Sequence, residues 1–315
     1  MHLPNIQTRE EALALLSLPY EELIENAWRI RKEVFGNTIE LCAIINAKSG
    51  NCSMNCAFCS QSAVSNTDAP KHPLLSKNAL LDRIHALSAL PLAHIGIVTS
   101  GGALPDRDVD TICQVLSELS PDIRRRLCAS LGRLSEENLT KLVWAGLRQF
   151  HHNLESSASF YPSVCTSQTW QDRLKTVLCA GKAGLINCTG GLFGMGESWA
   201  DRIDLALTLK AHNIRHIPIN FLHPHKNTPL AQMSIPNART AHTIIALFRH
   251  ILPMATLRLC GGRPTSFAGH EHEVLCSGAN ALMTGDYLTT HGMQAEQDLA
   301  LLSHLGLTPA MDTTK

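Results

Sequence analysis

Short apolar, β-branched runs alternate along the chain with longer stretches whose apolar positions recur at helical spacing. The runs fall at 39–46 (IELCAIIN), 93–99 (AHIGIVT), 126–131 (RLCASL), 147–152 (LRQFHH), 185–190 (LINCTG), 214–221 (IRHIPINF), 255–260 (ATLRLC) and 280–284 (NALMT). Amphipathic stretches at 106–119, 134–145, 168–183, 199–212 and 236–251 lie between them and predict helices. Ahead of the first run, residues 8–36 read as a single helix, with Ala12, Leu15, Leu16, Leu23, Ile24, Trp28 and Ile30 at roughly helical spacing and Gly36–Asn37 as the stop. Eight strands in βαβα order predict an α/β fold, a (β/α)8 TIM-type barrel with an N-terminal helical extension. The expected organisation is a helical segment at 1–37, the barrel at 38–308 and a C-terminal tail at 309–315. A doubly wound open sheet, built from the same units, is the competing architecture.

Composition narrows the function. With 315 residues, 44% of them hydrophobic, the chain can bury a sizeable core. Lys+Arg 27 against Asp+Glu 27 gives a formal net charge of zero, so no polyanion-binding surface is indicated and nucleic acid is not an expected partner. No apolar run is long enough to span a bilayer, so no membrane is expected either. Met1–Glu10 lacks the basic start, apolar middle and small-residue cleavage site of a secretory signal, and a reducing, cytoplasmic setting is expected. The 11 cysteines run from Cys42 to Cys276, an odd number that fits a disulfide scaffold badly. Metal ligands, catalytic thiols and buried apolar cysteines are the readings that remain.

The strongest local signal is GNCSMNCAFCSQS at 50–62, which spaces Cys52, Cys56 and Cys59 as Cys-x3-Cys-x2-Cys just after the first strand. Three thiolates on a short loop can hold three irons of a 4Fe–4S cube and leave the fourth iron open. A structural zinc is the alternative, but it wants four ligands, commonly from two paired arms, and no second arm occurs. Cys42, Cys128, Cys188 and Cys260 sit in predicted strands one, three, five and seven. Interior layers of such a barrel take side chains from alternate strands, so these four could face one another. Arg258, two residues before Cys260, shares its face and would offset thiolate charge. The bland reading is that all four are buried apolar cysteines. Cys113, Cys165, Cys179 and Cys276 lie in predicted helices or loops and are read as thiols without a role. His223 and His225, and His270 and His272, lie in polar loops without a full ligand set. His94 and His216 lie in strands.

The cysteine spacing, with Phe58 before the last cysteine, resembles the radical S-adenosylmethionine (SAM) superfamily. There the methionyl amine and carboxylate chelate the open iron, and reductive cleavage of SAM gives a 5′-deoxyadenosyl radical that abstracts hydrogen. Over residues 30–308 the chain further resembles the biotin synthase family, in HHNLESSASFY (151–161), TWQDRL (169–174), NCTGGLFGMGES (187–198), IPINFL (217–222), NTPLA (227–231) and LRLCGGR (257–263). The resemblance implies a sulfurtransferase that converts dethiobiotin to biotin, consumes SAM at two C–H bonds and takes sulfur from an auxiliary iron–sulfur cluster. It implies that Asn153 and Glu155 contact SAM, Asn153 also the substrate, and that Arg173 meets the SAM carboxylate, for which a guanidinium is suited. It places Thr99 and Gly101 of TSGG at SAM's amino group, GLFGMGE (191–197) along SAM, and Asn220 on a cyclic urea, to which an amide can both donate and accept. Reduced flavodoxin or ferredoxin, iron–sulfur assembly proteins and a second copy of the chain, as a homodimer, are the implied partners.

Several positions depart from that family. Glu155 stands where Asp is usual and His151 where Asn is frequent. Residues 94–101, which usually carry an auxiliary-cluster cysteine, carry none, whereas Cys42 replaces a common Ser and Cys260 follows, by two residues, the arginine that usually ligates that cluster. With one ligand lost and two gained, the expectation is an auxiliary cluster of the four-iron type rather than 2Fe–2S, held by Cys128, Cys188, Cys260 and Cys42, with Arg258 beside it. With three of them bound, the fourth iron could carry a labile sulfide. Two rival readings stand beside this one: another radical SAM enzyme on the same scaffold, such as a hydrogenase maturase or a rearranging synthase, and a non-catalytic iron–sulfur carrier. Asn220 and HHNLE argue for a urea-bearing substrate, and cysteines enclosed in a barrel argue against a carrier.

Overall fold

Alternation within the strands decides the architecture. A computed structural model describes residues 3–311, so Met1 and His2 of the N-terminal segment and residues 312–315 of the expected tail lie outside the described residues. The strands are β1 (Thr38–Lys48), β2 (His94–Thr99), β3 (Leu127–Ser130), β4 (Gln149–His151), β5 (Ile186–Cys188), β6 (Gly191–Phe193), β7 (His216–Phe221), β8 (Thr256–Leu259), β9 (Ala281–Met283) and β10 (Thr308–Ala310). They follow one another in parallel, and β9 returns to β1 through Glu40↔Ala281, Leu41↔Leu282 and Cys42↔Met283. That ladder closes the sheet into a barrel of eight strands and excludes the open alternative. The fifth barrel strand comes in two pieces, with β5 meeting β7 at Cys188↔His216 and β6 meeting it at Gly191↔Ile219. β10 adds to the start of β1 through Thr38↔Thr308.

The helices are α1 (Arg9–Ala14), α2 (Tyr20–Phe35), α3 (Lys77–Ser88), α4 (Asp106–Glu118), α5 (Pro121–Arg125), α6 (Glu136–Trp144), α7 (Trp170–Lys182), α8 (Trp199–Ala211), α9 (Ala238–Ile251), α10 (Arg263–Ser266) and α11 (Ala295–His304). Ser76, Ser135, Thr169, Ser198 and Asn237 cap α3, α6, α7, α8 and α9 by accepting from a backbone N–H three residues on. The single helix expected over 8–36 is two. Pro19 has no N–H to give, and Leu18 before it is extended at φ −69°, ψ 150°, so α1 ends in a 3-10 turn and α2 restarts at Tyr20. α3 and α11, and the short α5 and α10, come in addition to the helical stretches named from the sequence pattern. No helix among the described residues is long and apolar enough to cross a membrane.

Along each strand, one set of alternate residues packs on the helices: Ile39, Leu41, Ala43 and Ile45 on β1, Ile95 and Ile97 on β2, Ile217 and Ile219 on β7, Leu257 and Leu259 on β8. The aliphatic core is therefore the shell between strands and helices. The other set faces the axis and is unusually polar for a barrel whose interior is ordinarily filled by Val, Ile and Leu. At the floor, Arg258 Nη2 donates to Glu40 Oε2 at 2.8 Å and His94 Nε2 lies 3.5 Å from the same oxygen. Thr256 Oγ1 approaches the other carboxylate oxygen at 3.4 Å, and the His94 and His216 rings meet edge-on at 5.8 Å. Burial would raise the Glu40 carboxyl, but the hydrogen bond from His94 and the Arg258 charge outweigh it and hold the pKa at about 2.

This packing is testable at two positions. A Cβ at Gly190, between β5 and β6, would lie 1.9 Å from the Pro218 carbonyl oxygen on β7. Gly190→Ala should therefore cost about 3 kcal/mol or prevent folding, read as a lowered urea midpoint. Glu40 has a folded pKa of about 2 against an ordinary 4.5, so the stability it contributes is complete above pH 4.5 and is lost as the pH falls toward 2. Glu40→Gln should lower stability at neutral pH by on the order of 3 kcal/mol and flatten the acid limb of the stability–pH curve.

Candidate functional site

A cavity of about 460 Å³ opens at the C-terminal ends of the strands and runs down the barrel axis. Every residue predicted singly as a cluster, SAM or substrate ligand borders it, but of the 191–197 stretch expected along SAM only Leu192 does. It is built in three tiers.

The upper tier is the loop after β1. Gln61 closes this loop, its Oε1 accepting from Gly50 N at 2.6 Å and Ser49 Oγ at 3.0 Å, while its carbonyl accepts from Cys52 N at 3.3 Å. Cys59 N donates to Cys56 O at 3.1 Å, which turns the chain so that Cys52, Cys56 and Cys59 all border the cavity. All three are free thiols. Burial pushes Cys56 upward and brings Cys59 to about 11, so neither ionises readily without a cation beside it. Ser60 Oγ donates to Thr289 Oγ1 at 3.0 Å and Asn46 Nδ2 to Leu288 O at 3.0 Å, which fastens the 287–290 segment over this loop.

The middle tier holds the residues expected at SAM and substrate. Thr99 ends β2 and Gly101 follows two residues on, at φ +116°, a conformation open to glycine. Asn153 Oδ1 accepts from Gly190 N at 3.0 Å and its Nδ2 lies 3.4 Å from Glu155 Oε2. Glu155 is itself left-handed, at φ +68°, and its carbonyl accepts from Leu192 N at 2.9 Å. Gly191 permits that approach, since a Cβ there would lie 2.7 Å from Glu155 O. Arg173, from α7, donates through Nε to Asn153 O at 2.6 Å and through Nη2 to Glu155 Oε1 at 3.0 Å. The guanidinium expected on a SAM carboxylate thus faces Glu155 in this structure. Asn220 is bridged between strands: its Nδ2 donates to Gly191 O at 3.1 Å and its Oδ1 accepts from Gly261 N at 3.0 Å. Each group keeps one further site for a ligand. Behind the 191–197 turn, the buried Glu197 accepts from Gly194 N at 2.9 Å, Met195 N at 2.8 Å and Arg202 Nε at 2.8 Å.

The lower tier is a set of four buried free thiols, Cys42, Cys128, Cys188 and Cys260, all on the cavity wall. Cys128 donates to Cys188, which raises the first and lowers the second; His151 and Arg258 act on Cys188 in the same direction. Arg258 Nη1 lies 3.8 Å from Cys188 Sγ while Nη2 holds Glu40. Burial brings Cys42 to about 11 and pushes Cys260 well up too. Both thiol sets therefore suit a soft, thiolate-binding iron–sulfur group: the upper three are partly buried and the lower four buried, with Arg173 near the first set and Arg258 and Arg263 near the second to offset thiolate charge.

Sequence reasoning missed Glu40, Gln61 and the 287–290 segment. Glu40 is on the same side of β1 as Cys42, so the period of two that places Cys42 inside places Glu40 there as well. Gln61 lies within the cysteine motif, but nothing in its spacing marks it. Among the described residues, Glu40, His94 and His216 form the one group of acidic, histidine or cysteine side chains whose ligand atoms lie close enough to share a single metal ion, and the loop histidines do not: His225 pairs with Asp68 at 3.3 Å, and His270 and His272 lie beside Glu273.

Comparisons with known proteins agree with this geometry. Residues 47–209 match the radical SAM superfamily and residues 218–308 the biotin and thiamin synthesis associated domain. The chain is 52% identical over 297 residues to a biotin synthase of Desulfovibrio desulfuricans, covering 94% of both chains. It is 42% identical over 299 residues to a biotin synthase of Akkermansia muciniphila, covering 95% of this chain and 93% of that one. Among solved structures, methylornithine synthase (PylB) superposes with a TM-score of 0.82 at 18% identity, covering 97% of this chain and 95% of that one. The hydrogenase maturase HydG from Carboxydothermus hydrogenoformans gives 0.78 at 21% identity, covering 98% and 77%. The two structural likenesses establish the barrel, and the two sequence relatives establish what kind of barrel enzyme it is: the chain belongs to the biotin synthase family of the radical SAM superfamily.

Proposed function

We propose that this enzyme converts dethiobiotin to biotin, with Cys52, Cys56 and Cys59 holding a 4Fe–4S cluster and Cys128, Cys188, Cys260 and Cys42 holding an auxiliary cluster of the four-iron type. The observation that carries the reading is that both thiol sets border one cavity, with Asn153, Glu155, Arg173 and Asn220 between them. When bound, the clusters supply one-electron cleavage of SAM and a source of sulfur. The chain's own residues bind and orient. Thr99 and Gly101 offer polar backbone and hydroxyl to the methionyl end, Arg173 can exchange its contact with Glu155 for a carboxylate, and Glu155 is then freed for a ribose. Asn153 and Asn220, fixed by backbone partners, present the remaining amide valences to the ureido ring.

A four-iron auxiliary cluster is favoured by ligand count. Gly96, not a cysteine, faces the cavity on β2, while Cys42 and Cys260 face it from β1 and the end of β8. Arg258 is already engaged by Glu40, which suits a charge beside the cluster better than a ligand to iron. Within this reading, the described part of the N-terminal segment, residues 3–37, is a helical extension of the 38–308 barrel, the enzyme is a cytoplasmic homodimer, reduced flavodoxin or ferredoxin supplies electrons, and assembly proteins supply the clusters.

The test is a strictly anaerobic single turnover of reconstituted enzyme with SAM, dithionite and dethiobiotin, read by mass spectrometry. Biotin together with 5′-deoxyadenosine is the expected result; 5′-deoxyadenosine without biotin or a thiolated intermediate would reject the substrate. Cys128→Ser, Cys188→Ser and Cys260→Ser should each cut biotin formation by on the order of 100-fold while 5′-deoxyadenosine formation persists. Mössbauer spectra of the wild type should show four-iron clusters alone; a 2Fe–2S signal beside the SAM cluster would reject the four-iron assignment.

A further inference from the structure

Cys165 carries no role in the sequence motifs, yet its Sγ lies 3.6 Å from Cys56 Sγ. A set of hydrogen bonds enforces this closeness by fastening the 54–57 stretch of the cysteine loop to the 164–167 stretch before α7. Ala57 N donates to Val164 O at 2.8 Å and Asn55 N to Ser167 Oγ at 2.9 Å. Asn55 Oδ1 accepts from Thr166 N at 3.0 Å and from Ser167 N at 2.9 Å, while Asn55 Nδ2 donates to Thr166 Oγ1 at 2.6 Å. Cys165 N is in turn anchored on Tyr161 O at 3.1 Å. Two loops distant in sequence are clamped on either side of this pair, and the clamp itself is made of protein groups alone. A disulfide requires the two sulfurs to close from 3.6 Å to about 2 Å.

We infer that Cys165 is a modification site: it captures Cys56 as a disulfide when the three-cysteine loop has lost its iron to an oxidant. The inference rests on the reading of Cys56 as a cluster ligand. With hydrogen peroxide as oxidant, one thiol is oxidised to a sulfenic acid with release of one water. The other thiol attacks that sulfur, the S–S bond forms as the S–O bond breaks, and the hydroxide leaves as a second water with the attacking thiol's proton. The sum is two thiols and one peroxide giving one disulfide and two waters. The disulfide keeps Cys56 off the irreversible sulfinic and sulfonic steps, and a thiol reductant returns it to a ligand.

The test uses anaerobically reconstituted wild-type enzyme. Iron and the EPR signal of the reduced cluster are measured first; absence of a SAM-responsive four-iron signal at this stage would reject the ligand assignment, whatever the outcome of the peroxide treatment. The enzyme is then treated with hydrogen peroxide, alkylated without reductant and digested with trypsin. Cys165 is the single cysteine of fragment 149–173, and fragment 49–71 carries Cys52, Cys56 and Cys59. Linked fragments with the bond assigned to Cys56 by fragmentation, and recovery of iron loading after reduction, are expected. Cys165→Ser should abolish the linkage, raise sulfinic acid at Cys56, and lower iron reloading several-fold after the same treatment. Cys56 found free in the wild type, paired with Cys52 or Cys59, or overoxidised to the same extent in both proteins, would overturn the inference.

Discussion

The ion pair between Glu40 and Arg258 sets the terms on which this barrel can exist. An arginine buried on the barrel axis without a counter-charge would cost several kcal/mol, and so would a buried carboxylate. Together at 2.8 Å, with His94 and Thr256 around the carboxylate, they form a floor that tolerates polar neighbours above it. Burial works against the Arg258 charge, but Cys42, Glu40 and Cys188 hold it in place. The floor has a direction. Glu40 takes one nitrogen of the guanidinium and leaves the other, Nη1, facing Cys188. Positive charge is thus presented upward to the thiols from a fixed point.

That arrangement moves the burden of stability outward. Because most of the axis-facing residues are polar, thiol-bearing or small, with Ile44, Val98 and Met283 as exceptions, the apolar area that holds the chain together lies between strands and helices, in Ile39, Leu41, Ile95, Ile97, Ile217 and their partners. The interior is then free for chemistry. Each strand serves both ends at once: Leu41 packs outward while Glu40 and Cys42 face in, and Leu257 and Leu259 pack outward while Arg258 faces in. A one-residue register slip in β1 or β8 would exchange core for site along the whole strand.

This division of labour is why much of the molecule is legible in the sequence. Apolar runs at regular intervals reveal the barrel, because the outward face of each strand must be aliphatic. The four thiols on strands one, three, five and seven stand out because interior layers draw on alternate strands. The cysteine loop stands out because three ligands at short spacing carry their chemistry in the residue types alone. What stays hidden are partners set by tertiary closure. Gln61 closes its loop through a side-chain carbonyl, the 287–290 segment reaches Ser60 and Asn46 from the far end of the chain, and Cys165 meets Cys56 across 109 positions. None of these has a local period. Pro19 does mark the break between α1 and α2, but the apolar spacing on either side of it runs in phase and masks the signal.

The departures from the family pattern become coherent once the floor is included. Glycine at position 96 removes a side chain from the β2 wall, and a Cβ there would already lie 3.0 Å from Ile44 Cγ2. A side chain on β2 at this point would have to press Ile44 of β1 aside by a few tenths of an ångström. Cys42 lies one step below Ile44 on the same face, and Cys260 lies one step above Arg258. Each added thiol shares a strand with one half of the floor pair: Cys42 with Glu40 on β1, Cys260 with Arg258 at the end of β8. The Arg258 charge bears on all four thiols, on β1, β3, β5 and the end of β8, and favours the ionised form of each. The floor pair thus fixes one positive charge at the base of the cavity, and the thiols of four strands share it.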